Sequence, residues 1–224
     1  GGTEQEYLGI EVKLASPLMT REDAQQLYTA FTWDNPQFFF IGNTYSYKGY
    51  RSDGTDYYNV FCMVFTMNAQ QRKVADKQLD AALAAIVGGI PEDADDFDKE
   101  LYLHDRLLNI CSYDKQAAAS THPTEDYPDA FTAYGALVQG KGVCEGYSRA
   151  MQLLLHRVGI RATLVTGFDE NQVSHMWNLV TIDGRNYHLD PTWNDADDLL
   201  RHTYFNRTTD EIELTHTLDG ENIG

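Results

Sequence analysis

Residues 140–159 read GKGVCEGYSRAMQLLLHRVG, a glycine-flanked cysteine followed by an amphipathic run. Tyr147, Met151, Leu154, Leu155 and Val158 recur at helical spacing, which predicts a strong helix with one buried face, ended by Gly159 as its C-terminal cap. Cys144 then stands at the helix N-terminus, where unpaired backbone N–H groups and the positive end of the helix dipole stabilise a thiolate over a thiol. Gly140 and Gly142 carry no side chain and let a substrate approach closely. A free cysteine is more often a small core residue than a nucleophile, so the neighbours of Cys144 must decide between the two.

Further on, a strand expected at Ile160–Gly167 and a polar loop at Asp169–Ser174 lead into HMWNLVTIDGRNYHLD, residues 175–190. Asp183-Gly184 between two such runs signals a two-residue hairpin turn. With that turn Ile182 pairs with Arg185, and counting back sets Leu179 opposite His188 and Trp177 opposite Asp190. Opposed residues point the same way, so His175 and Asp190 become diagonal neighbours on one face, with backbones about 7–8 Å apart. A carboxylate that accepts one imidazole N–H fixes the tautomer, leaving the other nitrogen to take a thiol proton. A slip of one residue would destroy the pairing. His188 shares the face and is the rival base, deeper toward the turn. His104, His156 and His202 lack a patterned acidic or thiol partner and read as surface or packing residues, without zinc-site spacing.

These segments together resemble the transglutaminase-like superfamily, whose bacterial members show G-x-G-V-C-x-G-Y, then H-x-W-N, then D-P-T-W. Here the motifs stand at Gly140 to Tyr147, His175 to Asn178 and Asp190 to Trp193. The resemblance, from about Asp98 to Asp195, implies an α+β, papain-like core in which the cysteine-bearing helix packs on an antiparallel sheet. It also implies that Cys144, His175 and Asp190 form a catalytic triad. No metal and no cofactor are expected. The reaction expected is thiol-dependent acyl transfer at amide bonds, with peptide or amide hydrolysis ahead of crosslinking, because a glutamine-accepting groove leaves no readable mark. A protein-glutamine transglutaminase and a non-catalytic binding module of the same fold are the alternatives. The Cys144 N–H is the natural first oxyanion donor, with Tyr134 and Gln139 as candidates for the second and helix packing as their other explanation. Trp177 and Trp193 are candidates to wall the cleft, with core packing as theirs.

Ahead of this core, residues 1–91 read as a small N-terminal α+β unit, and residues 92–224 as the catalytic core. Thr20 caps a helix to Phe31 with Ala24, Leu27 and Phe31 on one side, and Asn35-Pro36 breaks it. Phe38–Phe65 is β-prone and split by Ser52-Asp53-Gly54, a hairpin pattern. Ala75, Leu79, Ala82, Leu83 and Ile86 mark a helix stopped by Gly88-Gly89 and Pro91, where the domain boundary is placed. The acidic run Glu92–Asp98 starts a helix through Leu101, Leu108 and Cys111, and lacks the spacing and glycine of an EF-hand calcium loop. Lys115–Asp129 reads as a long loop before a helical patch at Ala130–Val138.

A core is affordable for 224 residues at 42% hydrophobic content. With 17 Lys and Arg against 34 Asp and Glu, the formal charge of −17 repels nucleic acid and anionic lipid, so the expected partner is a neutral or basic peptide or protein, cell-wall associated if the chain is exported. No segment has the apolar length of a membrane-spanning helix. The start at Gly1-Gly2 without Met fits a removed leader or a cloning scar, and the first alternative makes a secreted or cell-surface bacterial location the expectation. Cys62, Cys111 and Cys144 are odd in number and widely spaced, which argues against a disulfide framework.

Overall fold

In the computed structural model, which describes residues 9–18, 20–196 and 199–219, the chain's first helix begins at a capping box. The Thr20 hydroxyl accepts from the Asp23 N–H and the Asp23 carboxylate accepts from the Thr20 N–H, both at 3.0 Å, which satisfies two of the end donors of helix α1 (Arg21–Asp34). Strands β1 (Gly9–Leu18), β2 (Ile41–Ser52) and β3 (Thr55–Phe65) form an antiparallel sheet in the order β1-β3-β2. The turn between β2 and β3 holds Asp53 and Gly54 at φ 49° and 81°, the left-handed pair that a tight hairpin requires. Ala24 and Tyr28 of α1 pack with Phe61 and Met63 of β3. Leu27, expected inward, is 40% exposed, because the buried face is turned onto Tyr28, whose hydroxyl donates to the Gly42 carbonyl. Strand β1 has no counterpart among the sequence expectations.

The chain divides into two compact units, Gly1–Ala75 and Asp76–Gly224, and the division falls inside helix α2 (Ala69–Val87), ahead of the Pro91 boundary expected from sequence. In the second unit Asp95 caps helix α3 (Asp96–Ile110) by accepting from the Asp98 N–H at 2.8 Å. Strand β4 (Ser112–Tyr113) and helices α4 (Lys115–Ala119) and α5 (Pro123–Asp126) follow, then a 3-10 turn at Pro128–Phe131 and a π turn at Gly135–Gln139. Lys115–Asp129 is therefore not a structureless loop: Asp114 caps α4 through the Gln116 and Ala117 N–H groups, and Pro123 opens α5. Nor does Ala130–Val138 form one helix. Gly135 approaches the Asp129 carbonyl so closely that a Cβ would stand 2.0 Å from its oxygen, which keeps the two turns folded on each other.

Strand β5 (Lys141–Gly142) runs parallel to β4 and leads into helix α6 (Cys144–Arg157). Beyond it lie β6 (Ala162–Asp169), β7 (Ser174–Ile182), β8 (Arg185–Leu189), α7 (Pro191–Asn194), the short pair β9 (Asp195–Ala196) and β10 (Leu199–Leu200), α8 (Thr209–Ile212) and β11 (His216–Leu218). A four-stranded antiparallel sheet has the order β11-β6-β7-β8, and α6 packs on β6 and β7 with α3 against it. This is an α+β core with the cysteine helix on an antiparallel sheet. Tyr147, Met151, Leu154 and Leu155 of α6, Leu103 and Leu107 of α3, Trp177 and Leu189 are wholly buried between these layers. Each such side chain contributes about 1.5–3 kcal/mol by leaving water.

One buried carboxyl runs against this economy. Glu100 on α3 is fully enclosed; its Oε2 accepts from Asn206 Nδ2 at 2.8 Å, while its Oε1 and Asn206 Oδ1 have no partner among the described residues. Burial, only partly offset by Asn206, pushes the Glu100 carboxyl up to about 7. The folded state therefore keeps a proton that the unfolded chain releases near 4.5, and this carboxyl costs stability as the pH rises from about 4.5 through about 7. Glu100→Gln is neutral at all pH and can donate to Asn206 Oδ1. The expected result is a higher urea midpoint than wild type at pH 8 and a smaller difference at pH 5; equal midpoints at pH 8 would refute the account.

Candidate active site

Val143 is the N-cap of α6 and offers no side-chain acceptor, so the first-turn N–H groups, that of Cys144 included, are left without a cap. The Val143 N–H donates to the Ala130 carbonyl at 2.9 Å, and a Cβ on Gly146 would stand 2.4 Å from the same oxygen. Only glycine lets the Cys144 turn nest on that carbonyl. At the other end Gly159 adopts φ 81°, as a C-terminal cap does.

The β7–β8 hairpin holds the expected register: Ile182 pairs with Arg185 and Leu179 with His188, around Asp183 and Gly184 at φ 50° and 74°. The ladder ends one residue before Asp190, at Asn178 opposite Leu189. Asp190 instead caps α7, its Oδ1 accepting from the Thr192 and Trp193 N–H groups at 2.9 and 3.1 Å. Its Oδ2 lies 2.7 Å from His175 Nε2, in a contact where His175 is 8% exposed and Asp190 not at all. With Nε2 so engaged, Nδ1 is the imidazole nitrogen left to act on Cys144. Burial of the ring opposes its charge, yet the Asp190 carboxylate and then Cys144 push the His175 pKa up to about 10. Burial likewise favours neutral Asp190, but His175 first and His216 second hold it down at about 2.

The cysteine helix is fixed to the histidine strand by side chains. Ser148 Oγ donates between the Cys144 and Met176 carbonyls, at 2.8 and 3.0 Å, and Asn178 Nδ2 donates to the Ser148 carbonyl at 2.9 Å. Ser148 and Asn178 are fully buried, so these bonds set the spacing of α6 and β7 in a low-dielectric interior.

His216, which no motif marks, is the residue that sequence reasoning missed. Its Nε2 lies 3.1 Å from Asp190 Oδ2, so two imidazoles share one carboxylate oxygen, and its Nδ1 meets Thr215 Oγ1 at 2.9 Å. Strand β11 brings it there by pairing with β6, at His216 opposite Asp169, a long-range contact without a spacing signal. His188, the rival base, accepts from Trp177 Nε1 at 2.9 Å, and burial, then His216, lower its pKa to about 4. It is a neutral acceptor for the tryptophan and is not available as the base.

The remaining expectations divide. Trp177 is wholly buried, its ring 6.0 Å from that of His175, and half-buried Trp193 lies 5.7 Å from the same ring, so both tryptophans surround the imidazole. Tyr134 donates to Gln78 at 2.7 Å and Gln139 donates to Asp129, so both donors suggested for the oxyanion are committed elsewhere.

Among the described residues two groups have metal-ligand spacing, His175 with Asp190 and His216, and His104 with Asp105 and His202. In the first, the imidazole N–H groups already converge on the carboxylate. In the second, Asn194 Oδ1 accepts from the Tyr204 N–H, which turns its amide nitrogen toward His104 Nε2 at 3.0 Å. Nε2 thus accepts, Nδ1 carries the proton, and that proton points at Asp105, 2.9 Å away. A cation on Nδ1 would need the opposite tautomer. His104 and His202 do have an acidic partner, Asp105, which each contacts, contrary to the sequence expectation.

The sequence profile of the Transglutaminase-like superfamily matches residues 82–191. That stretch belongs to the transglutaminase-like superfamily. The superfamily is one of thiol-dependent enzymes, and the match takes in Cys144, His175 and Asp190. Among solved structures, the chain is similar to a TGase at 15% identity and a TM-score of 0.47, over 82% of this chain and 50% of that one. It is similar to a candidate cysteine protease from Cytophaga hutchinsonii at 13% identity and a TM-score of 0.39, over 82% and 74% of the two chains. A candidate protease from Parabacteroides distasonis aligns at 13% identity and a TM-score of 0.36, over 66% and 36%. The chain thus spans half the length of the first of these structures. No curated protein matches it. No helix among the described residues is long and apolar enough to cross a membrane.

Proposed function

We propose that this protein performs thiol-dependent acyl transfer at amide carbonyls, with Cys144 as nucleophile, His175 as base, Asp190 as the residue that orients it, and water as the usual acceptor. The reading rests above all on one buried imidazole held 2.7 Å from Asp190 Oδ2, on a strand that the Ser148 hydroxyl ties to Cys144 by donating to the Cys144 and Met176 carbonyls. His175 Nδ1 takes the thiol proton and the sulfur adds to the carbonyl carbon. As the C–N bond breaks, His175 returns the proton to the departing amine. Water, deprotonated by His175, then attacks the thioester, and the acid and free thiol are released. The net charge of −17 favours neutral or basic peptides as substrates, wall-associated ones if the protein acts outside a bacterial cell.

The test is the rate of iodoacetamide alkylation at each cysteine as a function of pH, read by mass spectrometry. Cys111 serves as an internal reference, since burial pushes its thiol up to about 12. Cys144 should react faster than Cys62 and Cys111 near neutral pH, and should slow by about 10²-fold or more in His175→Ala. If Cys144 reacts no faster than Cys62, or ignores the loss of His175, the protein is a binding module of this fold. Acetylation by p-nitrophenyl acetate with and without butylamine then separates the acceptors: acetate as the product supports hydrolysis, and N-butylacetamide supports crosslinking chemistry.

A further inference from the structure

The oxyanion formed when the Cys144 sulfur adds to a carbonyl needs two donors aimed at one point beside the sulfur. The Cys144 N–H, at the uncapped start of α6, is one. The other has to be a donor near Cys144 that is not engaged within the protein. Most polar neighbours fail on that count. Ser148 Oγ is held between two carbonyls, Trp177 Nε1 by His188, the Tyr147 hydroxyl by Asp195, Tyr134 by Gln78 and Gln139 by Asp129.

Tyr113 does not fail. It stands on β4, in register with Gly142, and the next residue continues the ladder, Asp114 N–H to Gly142 O at 2.9 Å. Its backbone is thus tied beside the residue two before the nucleophile. Its ring packs on the cluster of Ala117, Ala130 and Val143, and Val143 directly precedes Cys144. The residue is half-buried, and its hydroxyl has no hydrogen-bond partner among the described residues.

We propose that the Tyr113 hydroxyl is the second oxyanion donor and hence a further catalytic residue, an assignment that rests on Cys144 being the nucleophile. During addition the carbonyl π pair moves onto oxygen, which accepts from the Cys144 N–H and the Tyr113 O–H without proton transfer. Collapse restores the carbonyl and expels the leaving group. Burial first, then negative charge on Cys144, Asp114 and Asp190, raise the Tyr113 pKa above the ordinary phenol value, so the hydroxyl keeps its proton through the working range. Trp193 is the competing donor, but its ring packs on His175, His216 and Tyr204.

Two reactions of the same sulfur test the assignment, because acylation passes through an oxyanion and alkylation does not. The pre-steady-state burst with p-nitrophenyl acetate and the iodoacetamide rate are measured on the full chain, on Tyr113→Phe and on Trp193→Phe. In Tyr113→Phe acylation should fall about 10²-fold while the alkylation rate and its pH profile stay within about two-fold of wild type. Unchanged acylation overturns the assignment. So does an equal loss in both reactions, which would place the hydroxyl on the thiolate, and so does a selective acylation loss in Trp193→Phe alone. Failure of the underlying reading looks different: wild-type Cys144 itself would show neither fast alkylation nor a burst, and the assignment would fall with it.

Discussion

Asp190→Asn should lower the rate of acyl transfer by about 10⁴-fold, the effect of the same change in a serine triad, while leaving the protein folded. Asp190 Oδ1 accepts from the Thr192 and Trp193 N–H groups, and asparagine can satisfy them only by placing its carbonyl oxygen there. Its amide nitrogen then lies where Oδ2 lies now, facing His175 Nε2 and His216 Nε2. Both rings must accept from that nitrogen, so both become Nδ1–H tautomers. His175 Nδ1 then carries a proton and has no lone pair to take that of the thiol. The helix cap survives, since asparagine caps as well as aspartate. Alkylation of Cys144 at neutral pH and acylation should therefore fall together, and the urea midpoint should drop as well, because the charge that holds His175 protonated is lost. Asp190→Ala, which removes the cap as well, should lose stability too. If Asp190→Asn retains more than about a tenth of the acylation rate, the tautomer argument is wrong.

The second large effect concerns the fold around the imidazole. Trp177→Ala should cost about 3–5 kcal/mol of unfolding free energy. The indole is wholly buried on β7, lies edge-on to His216 at 4.9 Å between centroids, and donates to His188 Nδ1. The opposite strand has been cleared for it: a Cβ on Gly167 would stand 2.8 Å from the indole Cη2. Truncation leaves a cavity that β6 and β7 cannot close without breaking their ladder, and orphans the His188 acceptor. Trp177→Phe keeps much of the volume but also orphans His188, and should lose roughly 1–3 kcal/mol. Chemical denaturation of the two variants checks both figures, and a loss below about 1 kcal/mol for Trp177→Ala would mean that the region repacks freely.

Where local pattern carried the information, it could be read directly. The positive φ values of Asp183 and Gly184, and the pairs Ile182 with Arg185 and Leu179 with His188, follow from a two-residue turn and the period of two along a strand. The helix from Cys144 to Arg157 follows from the apolar spacing and its closing glycine. Errors arose where several weak signals competed. The small and polar residues of Lys115–Asp129 suggested a loop, but Asp114 and Pro123 each open a short helix. On α1 the pattern suggested Leu27 inward, whereas the tyrosine with a carbonyl partner went inside. Strand β1 lacked turn signals on both sides and found its place only by pairing with β3.

By itself the sequence determined the α+β core, the cysteine at the head of its helix, and the hairpin register that brings His175 and Asp190 to one face, because each depends on spacing along a single element or across one tight turn. Which donors and acceptors are engaged was decided only in three dimensions. Tyr134 and Gln139 turn to Gln78 and Asp129, His188 becomes the acceptor of Trp177, and His216 arrives from the last described strand to share Asp190 with His175. The physical reason is that a buried polar atom must find a partner somewhere, and long-range strand and helix packing, which has no period in the chain, sets where that partner is.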